Sequence, residues 1–158
     1  MLGLTRKTDY ALVALVHLAR AGSKLASARE IADRYHVPLP LLVNILKTLS
    51  HAGLVESVRG ARGGYRLAAE AESITLNRLI TAIEGPVRLV ACSAAADRVE
   101  AAGLCELAPS CPVLSPVRKV HQRLAEFLDS VTLAEIAFDA ATHGRVAWPP
   151  SLKEAVQS

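Results

Sequence analysis

Ala52-Gly53-Leu54-Val55-Glu56-Ser57-Val58-Arg59-Gly60-Ala61-Arg62-Gly63-Gly64-Tyr65-Arg66-Leu67 is the stretch that decides the fold. Leu54 to Val58 reads as a strand, and Tyr65-Arg66-Leu67 as its return partner. Between them lies a hairpin tip in which glycines let the backbone take positive φ and approach a surface closely, while Arg59 and Arg62 project cations. In isolation such a hairpin is an ordinary solvated turn. What precedes it changes the reading.

Upstream, Ser27-Ala28-Arg29-Glu30 is a capping box, in which hydroxyl and carboxylate satisfy each other's orphan amide donors, and it opens a helix to about Tyr35. His36-Val37-Pro38 makes a turn. A further helix from about Pro38 to His51 carries Leu41, Leu42, Ile45, Leu46 and Leu49 inward and ends before Gly53. Ahead of both, Ala11, Leu12, Leu15, Leu18 and Ala19 recur at helical spacing between Thr5 and Ala21, with Gly22 as the stop. Two short helices joined by a tight turn form a helix-turn-helix, and directly after one the hairpin reads as a wing that lays Arg59 and Arg62 against a narrow minor groove or the flanking phosphates. On the reading helix, Leu39, Pro40, Val43, Asn44 and Lys47 lie off the strongest apolar stripe. Asn44 is suited to adenine and Lys47 to phosphate or guanine. The candidate DNA-binding residues are therefore Leu39, Asn44, Lys47, Arg59, Arg62, Gly63 and Gly64.

Composition agrees with this frame. A chain of 158 residues, 51% of them apolar, can bury a helical core in one or two small domains. The net charge of +3 is modest, but Lys47, Arg59, Arg62 and Arg66 crowd into one stretch. The apolar run from Ala11 to Leu18 is too short to span a bilayer and is interrupted by His17, so a cytoplasmic protein with no membrane partner is expected. No phosphate loop, nucleophile beside a base or catalytic carboxylate pair occurs, and the five histidines are dispersed. Neither an enzyme nor a small-molecule substrate is expected.

Beyond the wing, Thr75 caps a helix from about Leu76 to Glu84, which Gly85-Pro86 ends. Then come the three cysteines, Cys92, Cys105 and Cys111, spaced C-x12-C-x5-C in a loop from about Ala91 to Pro112. An odd number without an export signal argues against a disulfide framework, and three soft ligands on one loop suit a metal or an iron-sulfur cluster. A long helix follows from about Val113 to Ser130, and Val113, Val117, Val120, Leu124, Phe127 and Val131 alternate at intervals of four and three, the pattern of a dimer seam. Packing on the chain's own N-terminal helices would produce the same stripe. Thr132-Leu133-Ala134-Glu135 opens a last short helix to about Ala140. The fold class expected is mainly α: a winged helix-turn-helix domain over 1–85, a cysteine loop and dimerisation helices over 86–140, and a flexible tail over 141–158.

The opening Leu4-Thr5-Arg6-Lys7-Thr8-Asp9-Tyr10-Ala11, the wing segment and the three-cysteine loop resemble the winged-helix regulators of the IscR, NsrR and RirA type. Glu84-Gly85-Pro86-Val87 running into Cys92, with Leu104-Cys105-Glu106 and Ser110-Cys111-Pro112-Val113, looks most like the branch that regulates SUF-system iron-sulfur cluster assembly. The resemblance implies a homodimer that binds double-stranded promoter DNA, with Cys92, Cys105 and Cys111 holding a [2Fe-2S] or [4Fe-4S] cluster. IscR-like members add a histidine three residues after the third cysteine, a position occupied here by Leu114. The nitric-oxide sensors resemble this chain at Asp9, which implies that carboxylate as a cluster ligand from the other subunit. His121 on the long helix, a small thiol or a water are the other choices. Two readings keep the DNA-binding half without a cluster: a thiol redox switch, which needs a cation such as Arg88 or Arg98 beside a cysteine, or a structural zinc site with His121.

Overall fold

The computed structural model describes residues 4–60, 63–93, 101 and 103–138. Arg62 and the tail beyond Phe138 lie outside them. In chain order the elements are α1 (Arg6–Ala21), α2 (Ala28–Tyr35), α3 (Leu39–His51), β1 (Val55–Val58), β2 (Gly64–Leu67), α4 (Leu76–Glu84), α5 (Leu114–Ser130) and α6 (Leu133–Phe138), with a 3-10 turn at Ala71–Ser73. This is a mainly helical chain with a helix-turn-helix and a two-stranded antiparallel wing.

Helix starts follow local chemistry. Thr5, Ser27 and Thr75 each accept a backbone N–H of their own first turn, from Lys7, Glu30 and Arg78. The two capping boxes differ. At α6, the Glu135 carboxylate accepts from Thr132 N at 2.9 Å while Thr132 Oγ1 accepts from Glu135 N at 3.2 Å. At α2 only the Ser27 half forms, because the Glu30 carboxylate lies 3.6 Å from His17 Nε2 on α1. His17 also meets Tyr35 edge-on and brings Nδ1 within 3.3 Å of its hydroxyl, so α1 is joined to both ends of α2. The turn into α3 depends on His36, a non-glycine residue at φ 54°. That left-handed conformation costs about 1–2 kcal/mol and is held by the packing of Val37, which is 5% exposed.

The main core is built from Leu15 and Leu18 of α1, Ile31 of α2, Leu42, Leu46 and Leu49 of α3, then Leu54, Ile74 and Leu79, all fully buried. Helical spacing explains the set: Leu42, Ile45, Leu46 and Leu49 share one face of α3, and α1 lies across that face while also meeting α4 and α6. Each buried leucine or isoleucine contributes about 1.5–3 kcal/mol relative to exposure.

The wing pairs Val55 with Leu67, Glu56 with Arg66, Ser57 with Tyr65 and Val58 with Gly64. Its root is also bonded to the segment before α2: Tyr65 N donates to Ala26 O at 2.8 Å and Ala26 N to Tyr65 O at 3.0 Å. Sequence periodicity carries no trace of this bridge, since it joins residues far apart in the chain. Gly64 permits it, because a Cβ there would stand 2.8 Å from the Ala26 oxygen.

Helix α5 spans two cores. Its last turns enter the main one through Leu128, and its first turn enters a satellite of Cys92, Ala101, Ala108 and Leu114, against which Cys105 and Cys111 pack. Among the described residues, α5 is the element that places buried side chains in both. Its C-terminal end is fastened to α4: Asp129 accepts from Thr75 Oγ1 at 3.3 Å and Asn77 Nδ2 at 3.0 Å, and Leu76 N donates to Val131 O at 2.9 Å. The apolar stripe anticipated for this helix straddles a boundary. Val117 and Leu124 are half-buried against the chain itself, whereas Val113, Val120 and Phe127 stand 56%, 56% and 60% exposed in one row. Packing on the chain's own helices therefore accounts for Val117 and Leu124 and leaves the row of Val113, Val120 and Phe127 uncovered in the single chain. No described helix is long and apolar enough to cross a membrane.

Candidate DNA-binding surface and thiol core

The outer face of α3 carries Pro40, Asn44, Lys47, Thr48 and His51, all exposed and at the i, i+4, i+7, i+8, i+11 spacing of a single stripe. Asn44 and Lys47 of the anticipated readers are on it; Leu39 is half-buried and packs on the core. Thr48 and His51 were not anticipated. Extending the Asn44 stripe by one turn would have found them.

The arginines near the wing divide by their partners. Arg66 is bound to Glu56, its cross-strand neighbour, with Nε and Nη2 each 2.8 Å from one carboxylate oxygen. The hydrogen bond, and then the charge, hold Glu56 below the usual carboxylate range and raise Arg66. Both groups are exposed, so the pair organises the strands more than it stabilises them. Arg59, by contrast, is exposed at the tip with no described acid beside it, and the same is true of Lys47. Gly63 closes the tip by donating to Gly60 O at 2.9 Å, and a Cβ on it would collide with the Val58 carbonyl oxygen. Gly63 and Gly64 are thus needed by the hairpin whatever it touches.

The three cysteines belong to one small satellite core. Cys92 is 8% exposed, Cys105 and Cys111 are partly buried, all are free thiols, and they share the satellite core capped by Leu114. The donor chemistry fits an iron-sulfur group: three soft sulfurs on one core and no disulfide among them. Among the described residues, no three His, Cys, Asp or Glu side chains form the shell of one metal ion. A tetrahedral zinc would need donors each about 2.3 Å from the metal, whereas a cluster distributes its ligands over several irons.

Asp9 is exposed in the first turn of α1 and lies outside the thiol core. Its neighbours make a clasp that the sequence did not reveal: Glu84, last residue of α4, accepts from Thr5 N, Thr5 Oγ1 and Thr8 Oγ1. These bonds, Thr5 first and Thr8 next, hold Glu84 below the usual carboxylate range. The start of α1 is thereby fixed to the point where the chain departs for the thiol core.

His121 occupies the middle of the inward face of α5, two turns after Leu114 and two before Leu128. Its Nδ1 is buried with no hydrogen-bond partner. An orphaned buried nitrogen of this kind costs about 1–3 kcal/mol.

Comparison with known proteins agrees with the geometry. Residues 4–139 match the family described as "Rrf2: Iron-dependent Transcriptional regulator". The transcriptional regulator IscR of Cereibacter sphaeroides is 43% identical over 97 residues, covering 60% of this chain and 63% of its own. The structure of T. potens IscR matches with a TM-score of 0.66 and 32% identity, covering 91% of this chain and 93% of that one. That of CymR, the global cysteine regulator of B. subtilis, matches with a TM-score of 0.64 and 28% identity, covering 87% and 97%.

Proposed function

The chain belongs to the Rrf2 family of transcriptional regulators, and from that premise we propose that it binds promoter DNA as a homodimer under the control of an iron-sulfur cluster held by Cys92, Cys105 and Cys111. The genes controlled are those of SUF-type cluster assembly, the reading supported by the segments around Glu84 and the three cysteines. It is a DNA-binding regulator, as its relatives are, and not an enzyme.

The observation that carries the proposal is the double membership of α5. Leu114 seats the first turn of the helix in the thiol core, while Leu128 and Asp129 bind its far end to the DNA-binding part. The exposed row Val113, Val120 and Phe127 runs along the same helix and suits a second copy of it. When bound, the cluster supplies a redox- and iron-sensitive bond network in place of packed thiols. The protein's residues do the rest. Leu114 passes any shift of the cysteine segment to α5, the Val120 row passes it to the partner chain, and the separation of the two α3 reading faces changes. Operator half-sites one helical turn or a multiple apart tolerate little such change.

Anaerobic purification followed by a visible spectrum and iron, sulfide and zinc analysis tests the proposal. Brown protein with matching iron and sulfide is the result expected, the iron count separating two-iron from four-iron types. Colourless protein after reconstitution would overturn it. The three free thiols packed together would then be read as a redox switch.

A further inference from the structure

Resting on the reading of α3 as the DNA-reading helix, we infer that Pro40 and Thr48 are specificity residues, which recognise thymine methyl groups in the major groove on either side of an adenine read by Asn44. The three residues are exposed and stand at i, i+4 and i+8 on the outer stripe of α3. Each offers something different to a base edge. Pro40 carries a ring of methylenes and no donor. Asn44 carries an amide, with a carbonyl acceptor and an NH₂ donor group. At Thr48 the fold has altered the chemistry: its Oγ1 donates to Asn44 O at 3.1 Å, so the hydroxyl proton is engaged within the helix. What Thr48 presents outward is a methyl group and an oxygen that can only accept.

The rest of α3 is poor in readers for a G·C pair. Guanine is read most often by Arg or Lys and cytosine by a carboxylate, yet α3 contains no Arg, Asp or Glu. Lys47 is its single lysine, a point charge on a flexible stem that meets phosphate as readily as a base. Apolar contact, by contrast, is what the thymine methyl takes, and a bidentate amide is what adenine N6 and N7 take. Proline near a helix start is favoured by its fixed φ, and an i−4 hydrogen bond is a common habit of threonine. Neither fact explains why the two flank the single amide side chain of α3 on one stripe. Their spacing sets the pattern read. At 1.5 Å of rise per residue, Pro40 and Thr48 stand roughly 12 Å apart along the helix, with Asn44 midway. Base pairs stack roughly 3.4 Å apart, so a helix lying along the groove meets two thymine methyls about three to four base pairs apart, with an A·T pair between. The half-site beneath α3 is then rich in A·T.

The test uses the full-length protein, as purified and after anaerobic reconstitution, to select binding sites from a random duplex library. Each thymine of the selected half-site is then replaced in turn by uracil, which keeps base pairing and removes only the methyl group. Wild type should lose about fourfold in affinity at each of two thymines, the effect of one buried methyl-sized group. T48S keeps the hydroxyl that bonds Asn44 O and lacks the methyl, so it should bind the thymine and uracil duplexes equally at one of these positions. P40A should do the same at the other, and N44A should lose discrimination at the adenine between them. A uracil penalty that persists in either variant would overturn that residue's role. Sequence-specific binding that ignores the methyl groups, or a half-site with G·C pairs in that stretch, would overturn the inference and leave the DNA-binding regulator standing. Selection of no preferred sequence in either state would overturn both. The uracil series needs no substitution in the protein, so it decides even where a variant folds poorly.

Discussion

Thr8 donates its hydroxyl to Glu84 at 2.6 Å, across 76 positions of sequence. Thr8 is 2% exposed in the first turns of α1, and Glu84 ends α4, so one carboxylate joins the start of the DNA-binding half to the root of the cysteine segment. Because these bonds depress the Glu84 pKa, the bound carboxylate contributes stability above its ordinary value of 4.5, and the contribution disappears as pH falls through the depressed value. E84A should therefore melt below wild type at neutral pH, with the two melting temperatures converging in acid below the usual carboxylate range. A gap that stays constant down to pH ~3 would contradict the clasp.

Salt dependence of DNA binding separates the basic residues. K47A and R59A should each lower the slope of log affinity against log salt by about one unit, since each removes one phosphate contact. R66A should leave the slope nearly unchanged, because its guanidinium is bound to Glu56. Equal effects of all three would show that the Glu56 pair opens on DNA.

Substitution at the two ends of α5 should have different consequences. L128A cuts into the main core and should lower global stability by about 2–5 kcal/mol in denaturant titration. L114A should leave that transition almost in place and instead raise amide exchange around Ala108 and Cys111, which share its satellite core. Matching global losses from both would mean the two cores unfold together.

Alanine at Gly64 is expected to weaken folding before DNA enters the question. The added Cβ would meet the Ala26 carbonyl at 2.8 Å and force the Ala26–Tyr65 bridge open, an overpacking of about 1–3 kcal/mol. Thermal melting of the free protein reads this directly. An unchanged melt with weakened binding would make Gly64 a contact residue alone.

Much of the fold was legible because its determinants are local. Ser27, Thr75 and Thr132 announce helices through their own first turns, and the inward face of α3 follows from Leu42, Ile45, Leu46 and Leu49. The grouping of three cysteines was visible from their nearness in the chain. Hidden were the features made by distant partners: the Ala26–Tyr65 bridge, the Glu84 clasp, and the pull of His17 that diverts Glu30 from its capping box. The basic stretch includes Arg66, but its pairing with Glu56 depends on strand register and follows only from the closed hairpin. The wing tip at Arg62 lies outside the described residues.

The bridge between Ala26 and Tyr65 has a consequence for what a signal can do. By bonding the wing to the segment that feeds α2, it welds arginine tip and helix-turn-helix into one tool whose parts keep their mutual aim. A regulatory event elsewhere cannot adjust the grip of either part alone. It can only turn or translate the whole tool against its counterpart, so the response to a signal is a change in the gauge between two fixed reading heads.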